Sequence, residues 1–356
     1  MGDVAMIVPV VVALAHQYPE VRITILSRPF ASSFFEKLAP NVEFIPANLN
    51  KDYQGISGLN ALYSLLKKKK FTAVADLHDV LRTKYLRGRF FLSRVNTAHI
   101  DKHRKLRHQL LRYGAGEGVI KNGKVLSEEE KHQRQLPTVF NNYADVFAKL
   151  GFPVTLSQSA IDILNCEKDT GSNSQYLDTQ SADFLKKSAD QAWIGIAPFA
   201  AHRGKILPSA TIRSLIECLS ERDNTTIMLF SGKGKEREEV KKWCKQYDKC
   251  VDASSEAKSL KAELAIMQQL NVMVSMDSAN QHLASLVATP VVSIWGATHP
   301  AAGFMGWNQS SENIVGLPLA CRPCSIYGNK PCRFGDYACL SGITTEDILA
   351  KIDCYV

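Results

Sequence analysis

NVMVSMDSANQHLASLVATPVVSIW, residues 271–295, holds strand, helix and strand in one short stretch. Asn271–Ser275 is a brief apolar run, the pattern of a strand buried on both faces. Ala279–Val287 carries apolar residues at helical spacing, and Val291–Trp295 is a second buried-strand run. Strands joined through a crossover helix run parallel. In open sheets of this kind ligands collect in the loops that follow the strands. Here that loop is Ser275–Leu283, SMDSANQHL.

The same alternation extends outward. Trp193–Pro198 and Thr226–Phe230 read as strands; Ser209–Glu221, Lys235–Tyr247 and Leu260–Leu270 read as helices. Upstream, Val21–Leu26, Val42–Ile45 and Phe71–Leu77 read as strands, and 58–70 as a helix ending in KKKK, which suits the negative end of the helix dipole. Residues 9–18 read as a helix with Pro9 in its first turn. The polar stretch Asn165–Gln180 reads as a linker, which gives an N-terminal domain over 1–170, a C-terminal domain over 171–340 and a final helix over 341–356. The fold class is α/β, with helices on both faces of parallel sheets.

At 356 residues, 45% apolar and 22% charged, the chain has the composition of a globular protein with two ordinary cores. Its nine cysteines and the absence of a positive region before the apolar Val4–Ala15 run point to a reducing, cytoplasmic setting. The net charge of +8 is concentrated between Arg82 and Arg112, where ten Lys/Arg face one acid, Asp101. Such a run is either a solvated helix face or a footprint for a polyanion, with Arg82, Arg104 and Arg107 as candidate anion contacts. Sparse aromatic interleaving argues against single-stranded nucleic acid.

Four loops carry candidate chemistry. Gly2-Asp3 sets a carboxylate at a helix mouth, where Asp3 is either a general base or a plain helix-start acid. Phe199–Pro208 offers His202, Arg203 and Lys205 around Gly204, a set suited to a diphosphate but without the spacing of a Walker loop. In Ser231–Glu236, Glu236 is either a ribose ligand or a helix-starting acid after an ordinary glycine turn. In Ser275–Leu283 the backbone N–H groups of Ser278, Ala279 and Asn280 open a helix and suit an anion, while Asp277 suits sugar hydroxyls and His282 the phosphates. The competing reading makes Asp277 or Ser278 an N-cap and His282 a satisfied helix histidine. Last, Cys321, Cys324, Cys332 and Cys339 fall within 19 residues, and are either a structural zinc site or reduced thiols.

Taken together, MGDVAMIVPVV, ADLHDVLRT (75–83), IGIAPFAAHRGKILP (194–208), MLFSGKGKEREE (228–239), SMDSANQHLASLVATPVVSIWGATHP (275–300) and the cysteine-rich tail resemble glycosyltransferase family 9, the ADP-heptose:lipopolysaccharide heptosyltransferases. The resemblance implies a GT-B fold, two Rossmann-like domains whose parallel sheets face an interdomain cleft. It implies an inverting, metal-independent transfer of a heptose-type sugar from an ADP-sugar to a Kdo-lipid A type core, with Asp3 as base. Lys205, Asp277, Ser278, Ala279 and His282 would bind the donor, and Glu236 matches more loosely. It also implies peripheral contact with the anionic inner leaflet and no nucleic-acid partner. Family members begin with a strand before Gly-Asp that this sequence lacks, so a missing first strand is expected. The alternatives are a transferase or epimerase of the same architecture using another sugar nucleotide, or a non-catalytic nucleotide- or glycan-binding relative.

Overall fold

The computed structural model describes residues 1–114, 135–157, 187–188 and 190–356; the expected linker Asn165–Gln180 lies outside them. The chain divides into two compact units. One is built on Asp3–Lys102 together with the segment from Thr138, the other on the segment from His103 and on the C-terminal half. The basic stretch is therefore split between the units at Lys102/His103.

In the first unit, helix α1 (Gly2–Gln17) is apolar all round and buried from Ala5 to Ala15 apart from Ile7. The helix begins seven residues before Pro9, so Pro9 stands inside it and not in its first turn, a correction to the sequence reading. An interior proline costs about 3 kcal/mol in an isolated helix. Here the continuous apolar surface of α1 is buried on every side, and that burial outweighs the lost hydrogen bond. Strand β1 (Ile23–Ser27) pairs in parallel with β2 (Val42–Pro46), Ile23 opposite Val42. Strand β3 (Ala73–Asp76) pairs with β4 (Asn96–His99), Ala73 opposite Asn96. These are two separate two-stranded sheets among the described residues. Leu59, Leu62, Tyr63 and Leu66 of helix α2 (Gly55–Lys67) form a core with Leu86 and Phe90 of helix α3 (Leu81–Leu92). Leu26 and Ile45 of one sheet and Val74 of the other lean on that same core.

The second unit holds a six-stranded parallel sheet in the order β10-β9-β8-β5-β6-β7. Its strands are β5 (Ala192–Ala197), β6 (Thr225–Leu229), β7 (Cys250–Asp252), β8 (Val272–Met276), β9 (Val291–Ile294) and β10 (Ile314–Val315). β5 and β8 sit at the centre, Ile194 opposite Val272, and β8 pairs onward with β9, Met273 opposite Val291. Every residue of β8 and β9 is buried, as continuous apolar runs covered on both faces require. Ile212, Leu215, Ile216 and Leu219 of helix Ser209–Ser220 recur at three- and four-residue spacing and line one side of this core. Helix Leu260–Gln269 starts where the Ser259 hydroxyl accepts the Ala262 N–H at 3.1 Å, an N-cap that its sequence spells out. Among the described residues no helix is long and apolar enough to cross a membrane.

Candidate active site

The loops after β5, β8 and β9, three adjacent strands, meet at one edge of the second unit. After β8, Asp277 is buried, and its amide is held by the Ile294 carbonyl at 3.0 Å. Its carboxylate takes the Lys205 ammonium at 2.8 Å on Oδ2 and the Gln281 side-chain amide at 3.0 Å on Oδ1. Lys205 closes a one-turn helix (Arg203–Lys205) in the loop after β5. That turn is fixed to the loop after β9, because the Gly204 carbonyl accepts the Ala297 N–H at 2.8 Å. Of the three basic side chains in this loop only Lys205 reaches Asp277. Arg203 donates to the Ile206 carbonyl at 2.7 Å and lies over the Tyr337 ring, and His202 is exposed.

Ser278 is the N-cap residue of helix Ala279–Leu286, yet its side chain makes no capping hydrogen bond. The Ser278 hydroxyl and His282 Nδ1 are both buried without a protein partner. Ser278 thus holds the N-cap position expected of it without a capping side chain, and His282 Nδ1 is left without a partner. Burial, with the Lys205 charge as a smaller cause, pushes the His282 pKa down to about 3, so the ring is neutral at ordinary pH. A third buried polar group without a partner, the Thr298 hydroxyl, stands in the loop after β9. Sequence reading missed Thr298 and Gln281. The placement of Thr298 just past a predicted strand was the available signal. Buried polar atoms left unpaired cost about 1–3 kcal/mol each, so three in one neighbourhood mark a place where a polar ligand completes the structure.

Glu236 Oε2 accepts the Gly232 N–H at 2.8 Å, which closes its own turn. Asp3 lies exposed in the first turn of α1, where its backbone carbonyl faces the Tyr143 hydroxyl. Arg82 donates to the Asn50 side chain at 3.3 Å, and Arg104 is exposed at the start of helix Arg104–Gly114. Arg107, on that same helix, lies over the Phe304 ring at 4.9 Å and donates to the Tyr327 hydroxyl at 2.6 Å. Several other cations of the basic stretch are also engaged within the protein. Arg87 pairs with Asp76 and Asp79 at 2.9 and 3.1 Å, and Lys84 pairs with Asp79 at 3.5 Å.

The four clustered cysteines line one cavity of about 350 Å³, with Arg322 and Arg333 beside them. Burial raises the thiol pKa values of Cys324 and Cys339, the latter to about 11, which keeps those sulfurs protonated. Among the described residues no group of three or more His, Cys, Asp or Glu is disposed to hold a metal ion.

An open parallel sheet whose strand ends gather a lysine, an acid, a neutral histidine and an uncapped helix N-terminus defines an α/β protein fitted for an anionic, hydroxyl-rich ligand. Residues 108–337, well over half of the chain, match the model of glycosyltransferase family 9 (heptosyltransferase), and the chain belongs to that family. It is a glycosyltransferase of GT-B type. A glycosyltransferase family 9 protein from Veillonella parvula is 16% identical with a TM-score of 0.69, over 100% of this chain and 94% of that one. E. coli ADP-heptose LPS heptosyltransferase II is 16% identical with a TM-score of 0.62, over 99% and 95%. The E. coli heptosyltransferase WaaC, solved with ADP, is 16% identical with a TM-score of 0.61, over 100% and 97%. No curated protein matches the chain.

Proposed function

We propose that this chain is an inverting transferase that moves a heptose-type sugar from an ADP-sugar onto the inner core of lipopolysaccharide. The observation that carries the reading is the set of unpartnered polar groups, Ser278 Oγ, His282 Nδ1 and Thr298 Oγ1, in the loops that also hold the Lys205–Asp277 pair. The E. coli relative that was solved with ADP supports adenosine diphosphate as the leaving group.

In this reading the diphosphate sits against the N-terminus of helix Ala279–Leu286, where the N–H groups of Ser278, Ala279 and Asn280 and the Lys205 ammonium stabilise the charge that develops as the glycosidic bond breaks. Neutral His282 takes part as a hydrogen-bonding group and not as a cation. Asp277, held by Lys205 and Gln281, orients sugar hydroxyls. Asp3 accepts the proton of the acceptor hydroxyl as its oxygen attacks the anomeric carbon from the face opposite ADP. Arg82 and Arg104 meet the phosphates and carboxylates of the acceptor and the anionic leaflet. No metal takes part in the chemistry. A structural zinc would require the four tail thiols to close on the ion, and stoichiometric zinc in elemental analysis of the purified protein is the observation that would establish it.

The test is turnover of ADP-heptose with a Kdo-lipid A acceptor. Asp3→Asn is expected to lower kcat by about 10²-fold or more with little change in ADP affinity. Turnover near that of the unaltered protein would remove Asp3 from the role of base. Binding of ADP-heptose with no release of ADP in the presence of acceptor would favour a non-catalytic glycan-binding relative.

A further inference from the structure

The cysteine-rich tail is bound directly to the loops of the candidate site. The amides of Cys324 and Ser325 both donate to the Ala297 carbonyl at 3.1 Å. The buried guanidinium of Arg322 donates to the carbonyls of Gly296, Trp295 and Thr298 at 2.7, 2.9 and 3.3 Å. Ser325 Oγ meets Asn329 Oδ1 at 3.1 Å across the turn that follows. This turn carries Gly328 in the left-handed region, at φ +74°.

Gly328 lies against the stem of Lys205. A Cβ built on it would stand 2.6 Å from Lys205 Cγ, 3.2 Å from Cδ and 3.0 Å from Cε. Its carbonyl lies equally near Gly204, 2.9 Å from where a Cβ on that residue would be. The stem of the lysine thus lies against the bare backbone of residue 328 on its way to Asp277.

We infer that Gly328 is a positioning residue for the donor site: by lacking a side chain it lets the Lys205 stem lie flat on the tail, which aims the ammonium at Asp277 and at the diphosphate. The inference rests on the reading of Lys205 as a diphosphate ligand. A side chain at 328 has to displace three methylenes of that stem, and the ammonium moves with them.

Two measurements test it on the full chain. In the first, ADP affinity is measured by calorimetry for Gly328→Ala, Lys205→Ala and the double variant. Gly328→Ala is expected to weaken ADP by about tenfold, roughly 1.4 kcal/mol, but to have no further effect once Lys205→Ala has removed the stem. Equal losses in both backgrounds, or no loss from Gly328→Ala alone, would overturn the inference. In the second, acylation of Lys205 by an amine-labelling reagent is followed by mass spectrometry without nucleotide. Gly328→Ala is expected to label faster than the unaltered protein, and unchanged labelling counts against the inference. Gly328→Asn serves where Gly328→Ala does not fold, because asparagine tolerates the left-handed backbone yet still adds a Cβ. Should Lys205→Ala bind ADP normally, the diphosphate reading of Lys205 falls, and the labelling result still decides what Gly328 does to the lysine.

Discussion

Lys205 and Asp277 hold each other at 2.8 Å with both side chains largely out of water. Removing one partner of such a pair strands the other charge, at a cost of about 3–5 kcal/mol. Lys205→Ala is therefore expected to lower thermal stability as well as to weaken ADP by about ten- to a hundredfold; calorimetry and a thermal melt separate the two effects. His282 allows a prediction with a definite sign. Its pKa in the folded protein, about 3, lies below the unfolded value near 6.5, so the unfolded state binds the extra proton between those limits. This contribution to stability is whole above about pH 6.5 and falls by roughly 1 kcal/mol per unit as pH drops toward 3. His282→Gln should flatten the pH dependence of urea unfolding over that window, and an unchanged slope would show that the imidazole is not held neutral.

At the scale of elements the two units differ in how well their strands are covered. β5, β8 and β9 each have a partner on both sides, and their residues are buried almost without exception. Among the described residues β1, β2, β3 and β4 each have a single partner, and most of their residues are partly exposed. A two-stranded sheet is marginal by itself, and here the helical core around Leu62 and Phe90 supplies the support. Amide exchange is expected to be faster in β1 and β3 than in β5 and β8, by at least tenfold; equal protection in all four would contradict this account. Most of these elements were legible beforehand. The runs around Trp193, Thr226, Asn271 and Val291 each became a strand within a residue or two of the reading. Asn96–His99, Cys250–Asp252 and Ile314–Val315 escaped notice because they are short, and NTAH has no apolar alternation. Their partners in the ladder, not their own composition, make them strands.

For the molecule as a whole, the charge count overstates the basic footprint. Arg87, Lys84 and Arg107 are committed to partners inside the protein, which leaves the exposed Arg104 among the cations open to an anionic acceptor. Arg104→Ala is expected to raise the acceptor KM severalfold at low salt and to matter less as salt screens the contact. Donor identity belongs to this scale too. A ligand that binds only the folded state raises the melting temperature in proportion to its affinity. ADP should therefore raise it where GDP and UDP at the same concentration do not, and a larger shift with UDP would replace the donor reading.

The sequence by itself determined the alternation of buried strands and amphipathic helices, and with it the parallel sheet and the loops that bear Lys205, Asp277, Ser278 and His282. Periodicity and strand-end position are local properties that a chain displays before it folds. Only the tertiary structure decided which of three neighbouring basic side chains meets Asp277, that the Ser278 side chain caps nothing, that Thr298 is buried without a partner, and that Gly328 in the tail lies against a lysine more than a hundred residues earlier. Each of these depends on what packs beside the residue, and packing joins parts of the chain whose separation no local pattern records.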